Sequence, residues 1–246
     1  MPGLSFILDQ IIPDTCVLCF QTQKKYSRHR LCSFCWADLH RIGLACTACS
    51  LPLPMPGLCS SCTKHPLVNG QAVMPLKHIN DTRTLIHQLK FKRDLRAGQT
   101  LSALMLDIIR IRYQGNSLPE CLIPVPLSWR NQFRRGYNQA DWLAQPLGHA
   151  LKIPRLTTHI CRRHGPAQHS LSYHDRQIQQ LHTFVLKKTI KFNHVAIVDD
   201  VLTTGGTVKA LSQILHRSGV KQIDIWCASR ALPPSIIAHR SIAQPC

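Results

Sequence analysis

His194-Val195-Ala196-Ile197-Val198-Asp199-Asp200-Val201-Leu202-Thr203-Thr204-Gly205-Gly206-Thr207-Val208 is the stretch that decides the fold of this chain. Val195 to Val198 form a continuous apolar run, the pattern of a central strand covered on both faces in a parallel sheet. The run ends in two carboxylates, followed by threonines and two glycines. From Val208 a helical pattern begins, with Leu211 and Leu215 on the same face and Gly219 just beyond its end. Strand, loop and helix in this order indicate an α/β fold, with the loop at the carboxyl edge of the sheet.

Unpaired backbone N–H groups and the helix dipole make such a loop favourable for an anion. Glycine lets the backbone approach a phosphate, and threonine hydroxyls add donors. Thr203, Thr204, Gly205, Gly206 and Thr207 are therefore candidate phosphate ligands. Asp199 and Asp200 can accept hydrogen bonds from vicinal hydroxyls or hold a divalent cation. Together the two features suit a ribose 5-phosphate. The competing readings are a buried strand whose acidic end merely starts a helix, or an acidic pair that holds only a metal. The pattern of an apolar run, two acids, two apolar residues and Thr-Thr-Gly-x-Thr resembles the signature of the type I phosphoribosyltransferases, which bind 5-phosphoribosyl 1-pyrophosphate (PRPP). Thr203 departs from the hypoxanthine-type enzymes, which carry an Asp there, so the resemblance gives no reason to expect that kind of purine salvage.

At 246 residues, 44% of them hydrophobic, the chain has room for one medium and one small domain. No apolar run is long enough for a transmembrane segment, and the N-terminus lacks a basic signal-peptide start, so a cytoplasmic location is expected. Thirty Lys and Arg against twelve Asp and Glu give a net charge of +18. Such an excess suits a polyanionic partner: nucleic acid, an anionic membrane face or a phosphorylated substrate.

Eight of the twelve cysteines fall in the first 62 residues as Cys-x-x-Cys pairs: Cys16/Cys19, Cys32/Cys35, Cys46/Cys49 and Cys59/Cys62. A two-residue gap lets both thiolates of a tight turn face one ion, and two such turns complete a tetrahedral zinc site. Two structural Zn²⁺ sites are expected, with the first and second pairs on one ion and the third and fourth on the other; spacing also allows an interleaved arrangement. Closed four-thiolate sites leave no open coordination position. The segment has little apolar content of its own, so metal should supply much of its folding energy. Lys24, Lys25, Arg28 and Arg30 lie between the first two pairs, as phosphate contacts or a solvated loop. Leu51-Pro52-Leu53-Pro54-Met55-Pro56-Gly57 reads as a rigid turn within the second ribbon. The boundary is expected after His65-Pro66, giving a ribbon over residues 1–66 and an α/β domain over 67–246.

Beyond it, residues 82–91 and 100–113 read as helices, joined by a basic turn at Lys90-Phe91-Lys92-Arg93-Asp94. Leu122-Ile123-Pro124-Val125-Pro126-Leu127 is a short apolar strand ended by proline. Residues 130–139 follow as an arginine- and amide-rich loop, able to make two-point contacts to phosphate oxygens. The next helix carries Trp142, Leu143 and Leu147, with a kink expected at Pro146.

In order, the Cys-x-x-Cys pairs, Gln88-Leu89-Lys90-Phe91, Pro124-Val125-Pro126, Arg134-Arg135-Gly136-Tyr137-Asn138-Gln139, Gln168 with Leu171 and Arg176, and the phosphate signature resemble the ComF family. The likeness is greatest to its GntX branch, which is described as competence or DNA-utilisation proteins with a phosphoribosyltransferase domain. The resemblance implies a type I phosphoribosyltransferase-like parallel sheet flanked by helices, preceded by a small double zinc ribbon. It also implies PRPP bound with Mg²⁺, Asp199 and Asp200 on the ribose 2- and 3-hydroxyls, and residues 203–207 around the 5-phosphate. Lys90, Arg134, Arg135 or Arg162 would meet the pyrophosphate. Arg162, Arg163, His164, Gly165, Gln168 and His169 would belong to a loop that closes over the reacting centre. Two functions follow. In one, the protein handles imported single-stranded DNA, in company with other DNA-uptake proteins, and binds PRPP as a ligand. In the other, it transfers ribose 5-phosphate from PRPP to an unidentified nucleobase-like acceptor. The fold commonly forms homodimers.

Overall fold

The computed structural model describes residues 14–23, 29–163 and 183–233. The expectations for Lys24, Lys25, Arg28, His164, Gly165, Gln168, His169, Leu171 and Arg176 lie outside those residues. The ribbon contributes β1 (Asp14–Thr15), antiparallel to β2 (Thr22–Gln23), and two short helices, α1 (Ser33–Asp38) and α2 (Ser60–Lys64). There follow β3 (Ala72–Val73), β4 (Leu76–Lys77) and α3 (Asn80–His87), which continues into a π-helical turn, Gln88–Lys92. Next come α4 (Leu95–Arg112), β5 (Cys121–Pro124), α5 (Trp129–Arg135) and α6 (Gln139–Leu151). A hairpin of β6 (Ile160–Arg162) and β7 (Phe184–Leu186) precedes β8 (His194–Leu202), α7 (Gly206–Arg217) and β9 (Gln222–Arg230).

β8 and β9 are the inner strands of one parallel sheet. β5 flanks β8, while β3 and β4 together form the opposite edge, both pairing with β9. β5 is an edge strand, where Pro124 is tolerated because a missing N–H need not break an inner ladder. Period-two alternation divides the core. Val195, Ile197, Ile223, Ile225 and Cys227 face α7 through Val208, Leu211 and Leu215. Ala196, Val198, Trp226 and Ala228 face α4 and α6 through Leu101, Met105, Ile109, Leu143 and Leu147.

The ribbon straddles the β3/β4 edge. Cys16, Val17, Leu31 and Leu39 join the core on the α4 side, whereas Cys46, Cys49, Cys59 and Cys62 join the core on the α7 side. Main-chain bonds seal the junction: Ala72 N–H donates to Thr47 O, Lys77 N–H to His40 O, and Ile42 N–H to Pro75 O. The ribbon's scarcity of apolar residues is thus met by the sheet's two cores.

Three segments differ from the sequence reading. Residues 129–135 form a helix where a loop is expected, and α4 begins at Leu95 because Asp94 caps it, accepting the Arg96 N–H at 3.0 Å. β8 runs past the acids to Leu202, since β9 continues beside it through Val201↔Ser229 and Leu202↔Arg230 after β5 has ended at Pro124, opposite Val198. The acids therefore sit within a strand that has lost one neighbour, which opens room at their side. α6 remains one helical segment through Pro146. Among the described residues no helix is long and apolar enough to cross a membrane.

At the opposite end of the sheet Asp224 is fully buried. It accepts from Tyr113 Oη at 2.5 Å and from the Gln71 N–H at 2.8 Å, and lies 2.6 Å from His194 Nε2. Trp226 Nε1 donates to Tyr113 Oη at 2.9 Å.

Candidate functional site

The cysteines gather sequentially. Cys16, Cys19, Cys32 and Cys35 form one cluster and Cys46, Cys49, Cys59 and Cys62 another, with the ligand atoms of each within 4.8 Å of one another. Cys19 and Cys32 Sγ atoms are 3.7 Å apart, as are those of Cys49 and Cys59. A tetrahedral ion with Zn–S of about 2.3 Å requires S···S near about 3.8 Å, so both sets fit zinc. Against the desolvation of burial, the N–H groups of Cys19, Cys32 and Leu18 bring the Cys16 thiol down to about 7. Burial and then neighbouring thiols push Cys35 and Cys62 up. Four thiolates cannot coexist in either cluster without a cation, which is the charge logic of a metal site.

At the carboxyl end of β8 a cavity of about 150 Å³ is lined by Asp199, residues 201–208, Ala210, Arg162, Thr183 and Phe184. Gly205 has φ +84°, a left-handed turn that suits glycine, and starts α7 without a side-chain cap. The first amides of α7 have no partner inside the helix, so they remain donors for an anion.

The two acids leave the strand on opposite sides, as neighbours in a strand do. Asp199 lines the cavity and accepts the Asp200 N–H at 2.9 Å. Burial, reinforced by the neighbouring Asp200 charge, pushes its carboxyl up to about 7. Asp200 is buried and pairs with Lys90 Nζ at 2.8 Å. The π-helical turn makes this pair possible by aiming Lys90 at the end of β8 while Leu89 enters the core.

The predicted phosphate loop is thereby assembled with Asp199 and Arg162 around one space. Lys90 instead neutralises Asp200. Arg135 reaches Gln139 Oε1 at 3.0 Å, with its guanidinium 5.2 Å from the Phe91 ring, and Arg134 is exposed with its carbonyl accepting from Arg93 Nη2. These two arginines do not line the cavity.

Comparison with known proteins finds two domain families. The double zinc ribbon domain family matches residues 7–63, and the phosphoribosyl transferase domain family matches residues 161–232. The chain is 34% identical to DNA utilization protein YhgH of Salmonella typhimurium over 225 residues, covering 90% of this chain and 99% of that one. It is also 34% identical to Competence protein F of Haemophilus influenzae, over 87% of this chain and 90% of that one. The chain belongs to the ComF family. A shorter likeness, 37% over 79 residues, links this ComF-family chain to the adenine phosphoribosyltransferase of a Synechococcus strain, over 29% of this chain and 43% of that one.

One residue of this ComF-family site escapes the sequence reading. Arg230, the last residue of β9, donates from Nη1 to Leu202 O at 3.0 Å, Thr203 O at 2.5 Å and Ala231 O at 2.7 Å, and from Nε to Cys49 O at 3.0 Å. It joins the loop to the second cysteine cluster. The available signal was an arginine directly after the buried run Ile225-Trp226-Cys227-Ala228-Ser229.

The raised Asp199 carboxyl gives the ComF-family protein a pH signature. The unfolded chain loses this proton near 3.8, the folded chain near 7. The folded state holds more protons between those values, so this group's stabilising contribution is complete below 3.8 and lost as pH rises to about 7. Hydroxyl or cation binding needs the ionised form and changes in the opposite sense. Affinity for any ligand that needs the Asp199 carboxylate should rise up to about tenfold per pH unit below 7 and level off above it. Calorimetry at several pH values checks this against Asp199→Asn, which should lose the protein's share of the slope.

Proposed function

We propose that this protein acts in the cytoplasm in DNA uptake or in the use of imported DNA, and that it binds PRPP with Mg²⁺ and single-stranded DNA. The observation that carries the ligand is the shared cavity: one carboxylate, Arg162 and the uncapped loop of residues 203–207 surround a space suited to a ribose phosphate. The loop amides and threonines would hold the 5-phosphate, Asp199 would accept from a ribose hydroxyl, and Arg162 would meet the pyrophosphate. Mg²⁺, when bound, would neutralise pyrophosphate charge. Two structural zinc ions would hold the ribbon. The names of the relatives, DNA utilization protein and Competence protein F, support the process.

For the strand of DNA, the surface beside Asp200 supplies charge and stacking. Phe133 is 85% exposed and Phe91 56% exposed, with Lys92, Arg93 and Arg134 exposed around them. Aromatic faces among basic groups suit unpaired bases and their phosphates.

Titration of the zinc-loaded protein with PRPP and Mg²⁺, alone and with oligo(dT), tests the reading. Saturable PRPP binding is expected. Oligonucleotide affinity should fall with salt, by about 0.7 decades per decade of salt for each phosphate contacted, and Phe91→Ala with Phe133→Ala should weaken it. No heat of PRPP binding would sink the ligand assignment, and salt-insensitive oligonucleotide binding the DNA assignment.

The alternative is an active phosphoribosyltransferase, favoured by the match of residues 161–232 to that domain family. The C1–O bond to pyrophosphate would break as an acceptor nitrogen bonds C1 and loses its proton. Positioning and electrostatics would supply the catalysis, with Asp199 orienting a ring that gains positive charge. Pyrophosphate release that depends on an added acceptor distinguishes it.

A further inference from the structure

We infer that the second four-cysteine cluster positions the phosphate loop through Arg230, so that metal at that cluster and sugar phosphate in the cavity stabilise one another. The inference rests on reading residues 203–207 as a phosphate cradle.

The connection is a chain of direct bonds. Cys49 is a member of the cluster, and its carbonyl accepts from Arg230 Nε. The same guanidinium holds the carbonyls of Leu202 and Thr203. Each peptide is a plane in which C=O and the following N–H point in opposite directions. Holding Leu202 O and Thr203 O against Arg230 therefore turns the N–H groups of Thr203 and Thr204 away from it. Both residues line the cavity. A planar fork on a backbone fixed by the β9 ladder makes these bonds together, at a smaller loss of rotamer freedom per hydrogen bond.

A second contact acts on the next residue. A Cβ at Gly205 would lie 2.6 Å from Leu67 Cδ1, so the left-handed turn rests directly on a side chain five positions after the ligand Cys62. Cluster one leads elsewhere. Around it, His29 pairs with Asp107 at 2.6 Å and its carbonyl accepts from Thr100 Oγ1, while Gln88 Nε2 donates to Val17 O. Those contacts reach α4 and the π-helical turn, on the other face of the sheet, and bear on Lys90 and Asp200 rather than on residues 202–205. The coupling should therefore be confined to the second metal.

Zinc release into a chromogenic chelator, with and without ribose 5-phosphate, tests this on the full chain. Coupling between two ligands is reciprocal. Two release phases are expected, one slowed about tenfold by ribose 5-phosphate and the other unchanged. The slowed phase should persist in Cys19→Ser, which disturbs only cluster one. In Arg230→Met and Arg230→Lys, two zinc ions should remain bound while ribose 5-phosphate affinity falls about tenfold and the slowing disappears. A wild type that binds ribose 5-phosphate yet releases both metals at unchanged rates overturns the coupling, as do Arg230 variants that bind as tightly as wild type. Should either variant fail to fold, the wild-type release rates decide alone. A wild type that does not bind ribose 5-phosphate overturns the phosphate reading itself, and the coupling with it.

Discussion

Removal of both zinc ions is expected to unfold the whole protein rather than release an independent appendage. A structural four-thiolate site contributes on the order of 10 kcal/mol to folding, comparable to the total stability of an ordinary domain. Here the loss would not stay local, because the first cluster's neighbours Val17 and Leu31 are packed in the core of α4 and α6, and the second cluster lies in the core of α7. Purified protein should carry two zinc ions per chain. Excess chelator should lower the melting temperature by about 20 °C or more for a chain of this size. Near-ultraviolet dichroism, sensitive to buried Trp226, should change in the same transition as the metal is lost. A metal-free protein with an unchanged near-ultraviolet spectrum would show that the sheet stands without its ribbon.

Asp199→Asn and Asp200→Asn should both impair sugar-phosphate binding but shift stability in opposite directions. At pH 8 the Asp199 carboxylate is ionised at a cost, since burial and then the Asp200 charge oppose ionisation. Asparagine removes that cost and keeps an acceptor for the Asp200 N–H, so the ligand-free protein should melt about 2–6 °C higher. Loss of charged hydrogen bonds to ribose should weaken PRPP binding by about 100-fold. Asp200→Asn leaves Lys90 near a neutral amide in a largely buried setting, and should lower the melting temperature. Calorimetry and thermal melts on the two variants separate these effects. Unchanged PRPP affinity in both would exclude the acids from the site.

The loop and its helix were legible because their physics is local: Val195 to Val198 fill an inner strand, Gly205 makes the turn, and Val208, Leu211 and Leu215 give α7 its buried face. The four-cysteine clusters were legible from two-residue spacing. β9 was not, because Asp224 interrupts its apolar run. That acid is tolerated only through Tyr113, His194 and Gln71, which sequence proximity does not reveal. The partner of Lys90 was not legible for a related reason: the π-helical turn carries it to Asp200, far away in the sequence. Residues 129–135 fold as a helix, and Arg135 anchors the segment through Gln139, a contact that composition does not reveal.

The strand order has a consequence for how the chain is made. β9 is synthesised last among the described strands, yet it is inserted between β8 and the β3/β4 edge. Until residue 230 has left the ribosome, the nascent ribbon has no finished sheet edge to grip, and the side of β8 that will receive β9 remains unpaired. A chain truncated before Gln222 would contain every residue lining the cavity and both cysteine clusters, yet could not close the sheet that brings them together. Assembly is thus gated by the final strand, and the earliest segment to be translated is among the last to settle.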